Sequence, residues 1–446
     1  MKLRPNIRVP NFQLVVLLCI LNCISGRRFN GPSYYPHDYY EGQQRIKTAL
    51  SKLEHVPKWV PNWPNPDVQM GQVSGVALDN SGQLLVFHRA TNTWDENTFT
   101  IRNVYQDIGK PAIPYPTVLK FNDTGELVDQ WGEHLFHIPH GITVDTEGNI
   151  FLTDVALHQV FKFAVGKWKQ PELVLGEKFV PGDDFSHFCK PSAVAVLPTG
   201  EFFVADGYCN HRILKMAPDG TIILHWGTNH GDSPFSLNVP HALTLANDHG
   251  LVFVADREHG RVKCFRSDNG TFVNSYSNWL IGERLFSVAY APVHGGRLYV
   301  VNGPSSDIVP VRGYVVELTS GRMLATFAPD GDFSNPHDVV VSPDGAKVYV
   351  AELNPHRVYK FEDQSLRNES SAAAAAVAVR KNSTAHAKPT ATIEMSAPTA
   401  GGWEWWWGAA GGAGGAAGAA LLALAAAALR HARNKGKIRE AEPLVH

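Results

Sequence analysis

The sequence predicts an all-β fold, a six-bladed antiparallel β-propeller over residues 60–363. Three regularities predict it. The first is a start that recurs six times: Val73-Ser74-Gly75-Val76, Pro139-His140-Gly141-Ile142, Pro191-Ser192-Ala193-Val194, Pro240-His241-Ala242-Leu243, Leu285-Phe286-Ser287-Val288 and Pro336-His337-Asp338-Val339. The second is a glycine eight or nine residues after the second position of each start, at Gly82, Gly148, Gly200, Gly250, Gly295 and Gly345. The third is an apolar run that ends on an acidic residue, as in Phe202–Asp206, Val252–Asp256 and Val348–Glu352. Repeats of roughly 40 to 50 residues, each with several short strands, point to propeller blades.

Each copy spells out its strands in order. An alternating apolar run such as Ile142-Thr143-Val144 or Val339-Val340-Val341 makes the innermost strand. The glycine, flanked by Asn, Asp, Pro and Ser, supplies the hairpin turn. The run ending near Ala-Asp is the second strand, and Arg261–Phe265 or Arg357–Phe361 is the third. Some copies add a fourth that ends in Trp-Gly, at Trp131-Gly132 and Trp226-Gly227. After Phe361 no fourth strand follows, so a segment before Val73 is expected to complete the last blade. A ring of this size buries an ample core and needs no second catalytic domain.

The flanks read differently. Lys2, Arg4 and Arg8, an apolar run from Phe12 to Ile24, then Ser25 and Gly26 have the form of a secretory signal peptide over 1–26. Residues 27–59 form an N-terminal segment able to supply the closing strand. Residues 364–402 are rich in Ala, Ser, Thr and Asn with no strand pattern and read as a flexible linker. Trp403, Trp405, Trp406 and Trp407 precede an uncharged Ala/Gly-rich stretch, and Arg430, Arg433, Lys435, Lys437 and Arg439 follow it. That order fits one transmembrane segment at 403–429 with a basic tail at 430–446, a candidate membrane anchor. The expected location is the secretory lumen, secreted or held at the membrane. Sequons at Asn122, Asn269, Asn368 and Asn382 are candidate glycosylation sites in such a compartment. The net charge of −2 and the lack of a basic face exclude nucleic acid as the expected partner.

Chemistry concentrates at the hub. The second position of the six copies reads Ser, His, Ser, His, Phe, His. In a closed ring, alternate blades stand about 120° apart, so His140, His241 and His337 converge on the axis. Three neutral imidazoles are a zinc set that leaves a coordination position for substrate, the catalytic rather than the structural arrangement. Arg89 and Arg257 share one repeat position just past the second strand. There they can grip a carboxylate, or simply pair with Asp256 or Glu258. Tyr208 lies in the same loop of the third copy, where neighbouring cations would suit it to general-base work. Cys189 and Cys209 flank the first two strands of that copy, a plausible disulfide. Asp338 is a candidate ligand for a hard cation, or a partner that orients His337.

In these residues the chain resembles peptidyl-α-hydroxyglycine α-amidating lyase. The resemblance covers 60–363 and rests on Phe87-His88-Arg89, Pro139-His140-Gly141, Asp206-Gly207-Tyr208-Cys209-Asn210, Pro240-His241, Ala255-Asp256-Arg257-Glu258 and Pro336-His337-Asp338. It implies a zinc-dependent propeller that cleaves peptidyl-α-hydroxyglycine to a peptide amide and glyoxylate, as in the C-terminal amidation of neuropeptides and peptide hormones. It further implies zinc on His140, His241 and His337, with Arg89, Tyr208 and Arg257 catalytic. A structural calcium would take the carbonyls of Val76 and Ile142 and the side chain of Asp338, and Cys189–Cys209 would be bonded. The partners implied are α-hydroxyglycine-extended peptides and a separate copper monooxygenase that makes them.

Two positions depart from the family pattern. Asn335 stands where the family has a methionine, and Phe253 replaces the first cysteine of a family pair, leaving Cys264 alone. The same scaffold also suits a propeller that binds peptides or partners without catalysis, or another zinc hydrolase.

Overall fold

The computed structural model describes residues 37–385, apart from 230, 232 and 307. The expected signal peptide, membrane segment and basic tail lie outside the described residues, as do residues 27–36 of the expected segment 27–59 and the linker beyond 385. The chain divides into two units, Met1–Asn382 and Ser383–His446, and the propeller belongs to the first. Among the described residues no helix is long and apolar enough to cross a membrane.

Six four-stranded antiparallel sheets make the ring. Blade 1 contains β2 (Val73–Leu78), β3 (Leu84–His88), β4 (Val118–Phe121) and β5 (Leu127–Trp131). Blade 2 contains β6 (Pro139–Val144), β7 (Ile150–Asp154), β8 (Gln159–Phe163) and β9 (Leu173–Leu175). Blade 3 is β10 (Ala193–Val196), β11 (Phe202–Asp206), β12 (Arg212–Met216) and β13 (Ile222–Trp226). Blade 4 is β14 (Pro240–Ala246), β15 (Leu251–Asp256), β16 (Arg261–Arg266) and β17 (Phe272–Ser277). Blade 5 is β18 (Leu285–Ala291), β19 (Arg297–Asn302), β20 (Gly313–Glu317) and β21 (Met323–Phe327). Blade 6 has β22 (Pro336–Val341), β23 (Lys347–Glu352) and β24 (Arg357–Glu362) in sequence order, and its fourth strand is β1, Lys58–Val60. Lys58 pairs with Glu362, and Val60 with Lys360. The ring is therefore closed by a strand from before Val73, as expected, and the strand begins two residues earlier than the expected boundary of the propeller.

Cohesion comes from side chains packed between neighbouring blades. Phe87, Trp131, Phe136, Phe161 and Phe163 fill the space between blades 1 and 2. Phe203, Trp226, Val252, Val254 and Phe265 do the same between blades 3 and 4. Each such side chain contributes roughly 1.5–3 kcal/mol by leaving water. Cys264 is one of these core residues. It is fully buried, faces Phe253 across the β15–β16 pair, and burial pushes its thiol up to about 12. It packs as a small apolar side chain.

A second device repeats at the acidic end of the second strand. The Asp154 carboxylate accepts the N–H groups of His137 and Ile138, Asp206 that of Cys189, Asp256 that of Asn238, and Glu352 those of Ser334 and Asn335. Each acid thus fixes the segment that enters an innermost strand. This explains why the second strand ends on an acid in four copies.

Among the described residues two α-helices flank the ring, α1 (His37–Leu50) and α2 (Gln364–Ala385). The second is a correction, because 364–402 reads as a linker. Asp363 caps it by accepting the N–H groups of Ser365 and Leu366, and the run Ala372–Ala376 has the highest helix propensity.

Candidate active site

The innermost strands carry the site, and an irregularity in five of the six aims it. The pairing with the second strand slips between Val73 and Gly75, Pro139 and Ile142, Pro240 and Ala242, Leu285 and Ser287, and Pro336 and Asp338. Each slip falls at the second position of the copy. A bulge frees that residue from the ladder and re-aims its side chain, here towards the axis.

His140, His241 and His337 meet there. Their ring centroids are 4.9, 4.8 and 4.6 Å apart, and one ligand nitrogen from each lies within 4.8 Å of the other two. All three are buried. Nδ1 of His140 lies 2.7 Å from the Ser192 carbonyl, Nδ1 of His241 2.7 Å from that of Phe286, and Nδ1 of His337 2.6 Å from that of Ser74. Ser74, Ser192 and Phe286 are the second positions of the intervening copies. The placing of histidines in alternate copies thus has a physical meaning: each imidazole donates Nδ1–H to the backbone of the next blade and leaves Nε2 as the donor atom for a metal. Burial, then the charges of neighbouring groups, holds His140 and His241 well below the usual histidine range, and His337 falls to about 3. Neutral imidazoles are what a metal requires. These three residues can hold a metal ion, and the donor set suits zinc.

Arg89, Tyr208 and Arg257 lie at the end of the hub where the innermost strands begin. The Tyr208 hydroxyl is 2.9 Å from His140 Nε2 and 3.0 Å from His241 Nε2, and Arg257 NH1 donates to it at 3.3 Å. The preceding Gly207 allows this approach, since a Cβ there would stand 1.9 Å from the Pro240 carbonyl oxygen. The Cys189–Cys209 disulfide is formed, with Cα atoms 5.4 Å apart, and pins the loop directly after Tyr208. Burial raises the Tyr208 phenol above its ordinary value, against the pull of Arg257 and Arg89. The cations alone therefore do not ionise it.

The two arginines differ in their surroundings. Arg89 is 1% exposed; its Nε donates to the Pro139 carbonyl at 3.0 Å and NH1 to Gln72 Oε1 at 2.7 Å, while NH2 is buried with no partner among the described residues. Burial lowers it to about 10, so it is still charged at neutral pH. A buried guanidinium nitrogen without an acceptor is costly, and its placement suits an incoming anion. Arg257 Nε is bonded to Glu258 at 2.8 Å, and Arg284 holds both oxygens of that carboxylate at 2.9 Å. Arg257 thus pairs with Glu258 through Nε and reaches the Tyr208 hydroxyl through NH1, so one side chain makes both contacts.

Gln72, Trp94, Glu258 and Arg284 were not among the expected catalytic or metal-binding residues. Trp94 packs on Tyr208, with ring centroids 4.7 Å apart, and Gln72 accepts the Trp94 N–H at 3.0 Å. The signal for Trp94 was the unusual length of sequence between the second and third strands of the first copy.

On the other side of the histidines an axial cavity of about 700 Å³ runs between the innermost strands. Val76, Ile142, Thr143, Thr244 and Asp338 line it, and Tyr208 and both arginines do not. Asp338 accepts from Val76 N–H at 3.0 Å, Ser287 Oγ at 2.7 Å and Val339 N–H at 2.9 Å; burial raises its carboxyl to about 6. Asn335 is partly exposed, with its N–H on Glu352. The sequons at Asn269 and Asn368 are exposed, and Asn122 is partly so.

Comparison with known proteins gives this arrangement its relatives. The NHL repeat model matches residues 188–216 and 237–265, within blades 3 and 4. Peptidyl-α-hydroxyglycine α-amidating lyase 1 of Drosophila melanogaster is 46% identical over 338 residues, covering 72% of this chain and 62% of that protein. Lyase 2 of the same fly is 39% identical over 322 residues, covering 68% of this chain and 75% of that protein. Peptidyl-glycine α-amidating monooxygenase B of Xenopus laevis is 43% identical over 317 residues, covering 69% of this chain and 36% of the frog protein. The chain thus spans less than two thirds of the fly lyase 1 and about a third of the frog protein. With the hub histidines, the paired arginines and the closed six-bladed ring in place, the chain belongs to the peptidyl-α-hydroxyglycine α-amidating lyase family.

Proposed function

We propose that this chain is a zinc-dependent lyase that converts a peptidyl-α-hydroxyglycine into a peptide amide and glyoxylate. The observation that carries the reading is the orphan NH2 of Arg89, buried beside a tyrosine that touches two of three converging histidines. A substrate with a carboxylate next to a labile hydroxyl fits that set. Zinc held by His140, His241 and His337 would supply a Lewis acid for the substrate hydroxyl. Arg89 and Arg257 bind and orient the carboxylate. Tyr208 Oη accepts the hydroxyl proton as the C–O bond becomes a carbonyl and the C–N bond breaks. The electron pair goes to nitrogen, and a proton returned to that nitrogen completes the amide. Phenolate formation needs more positive charge than Arg257 and Arg89 provide, which a metal at the adjacent Nε2 atoms would add.

The reading extends to a calcium ion at Asp338 with the carbonyls of Val76 and Ile142. Its support is a carboxylate in the axial cavity whose hydrogen-bond partners are all neutral. It also extends to a luminal location, secreted or membrane-anchored, which a formed disulfide favours, and to a separate monooxygenase as the source of substrate. Glyoxylate release from an α-hydroxyglycine-extended peptide, with and without chelator, tests the reading. Release that chelator abolishes and zinc restores is expected; no release with zinc present would overturn it.

A further inference from the structure

The loop between β3 and β4, residues 89–117, far exceeds its counterparts at 155–158, 207–211, 257–260, 303–312 and 353–356. Long ordered loops within compact domains are usually functional. This one is anchored along its length. Asn92 Nδ2 donates to the His137 carbonyl at 2.9 Å, Trp94 N–H to Gln72 at 3.0 Å, and Ile113 N–H to the Phe136 carbonyl at 2.9 Å. From blade 3, Lys190 Nζ donates to Asn103 Oδ1 at 2.9 Å and lies 4.1 Å from the Phe99 ring centroid. Lys190 follows Cys189, whose bond to Cys209 fixes the Tyr208 loop. One lysine therefore ties the long loop to the segment that carries Tyr208.

The anchored loop presents Trp94 to the site. Its ring centroid is 4.7 Å from that of Tyr208 and 6.2 Å from that of His140, and Arg89 Cζ lies 5.3 Å above it. The indole is partly exposed. Resting on the lyase reading, we propose that Trp94 walls the subsite for the residue preceding the hydroxyglycine and favours an apolar or aromatic side chain there. With the carboxylate on the arginines and the hydroxyl at Tyr208, the acyl side of the substrate must leave the pocket elsewhere. The hub floor is closed by three imidazoles. Beside Arg257 stand the Phe286 ring at 5.0 Å and the Glu258–Arg284 pair. The partly exposed apolar face in contact with both Arg89 and Tyr208 is the indole, a broad surface for stacking. Lys190, engaged with Asn103 and Phe99, is a positioning residue for that wall.

The test compares kcat/KM for N-acetyl-phenylalanyl-α-hydroxyglycine with that for N-acetyl-α-hydroxyglycine, by glyoxylate release from the metal-loaded full chain. Trp94→Ala is expected to lower the ratio of the two about tenfold, the scale of discrimination by apolar contacts. Lys190→Met lowers the ratio in the same direction, and Trp94→Phe, which keeps an aromatic face and guards against misfolding, retains most of it. An unchanged ratio in Trp94→Ala and Trp94→Phe, or equal losses on both substrates, would overturn the proposal. A wild-type protein inactive on both substrates is a different result, and overturns the lyase reading on which the subsite rests.

Discussion

Nδ1 of His337 lies 2.6 Å from the carbonyl oxygen of Ser74, across the junction where the last blade meets the first. The closure of the ring and the orientation of a metal ligand are thus one contact. The same bond recurs from His140 to Ser192 and from His241 to Phe286, so three main-chain oxygens fix three tautomers.

Replacing His337 by Gln removes one of the three donor atoms and leaves two, too few for a closed tridentate grip. Zinc content per chain is expected to fall, and the metal-dependent rise in Tm to vanish, while the far-ultraviolet circular dichroism of the ring persists. Elemental analysis and thermal melts with and without zinc check this. Full zinc retention would remove His337 from the ligand set.

Tyr208→Phe deletes one oxygen and keeps the ring against Trp94. Because the hydroxyl is the group placed between His140, His241 and Arg257, kcat should drop by about 10²–10⁴, the range for a lost acid–base group. Since the carboxylate contacts are untouched, KM should move little. Steady-state glyoxylate kinetics read both, and near-wild-type kcat would assign the proton transfer elsewhere.

Glu258 acts on the reaction through Arg257. It takes Arg257 Nε at 2.8 Å and is itself gripped by Arg284. Glu258→Gln weakens both charge-assisted bonds, so kcat/KM is expected to fall about tenfold, a loss of about 1.4 kcal/mol. If the pair acts as one clamp, Arg284→Met added to Glu258→Gln costs much less than the sum of the single changes. Strict additivity would mean that Arg284 does not work through Glu258.

What could be read from sequence followed the symmetry of the repeat. Ring count, closure from before Val73, the convergence of His140, His241 and His337, and the shared place of Arg89 and Arg257 all follow from positions that recur copy by copy. Trp94 escaped because its loop has no counterpart to align with. The partners of Nδ1 escaped for another reason. Ser74, Ser192 and Phe286 act through main-chain carbonyls, which any residue carries, so their side chains held no trace of the task. The balance at Tyr208 was also beyond the sequence, since neighbouring cations were visible there and the depth of burial that outweighs them was not. Helix α2 was missed because alanine-rich composition suits a linker and a helix alike, and Asp363 decides where the helix starts.

Acid should loosen the fold through buried histidines outside the metal-binding set. Burial lowers His88, His137 and His158 to about 4, with Lys178 adding to the effect at His137 and Lys190 at His158. Their folded-state values lie below the unfolded value of 6.5, so between about 4 and 6.5 the unfolded chain binds more protons. Stability from these groups is complete above about 6.5 and is lost as pH falls towards 4. Asp338, raised to about 6, works in the opposite sense, which makes a difference measurement the right one. Among the described residues His137 Nδ1 is buried with no partner, and the ring packs against Tyr105 and Phe179. His137→Phe keeps that packing and cannot take up a proton. The variant's unfolding free energy from urea melts should therefore gain on that of wild type as pH falls from 6.5 to 4, with a slope of at most about 1.4 kcal/mol per pH unit. A difference that stays constant across this range would mean that His137 does not titrate with unfolding.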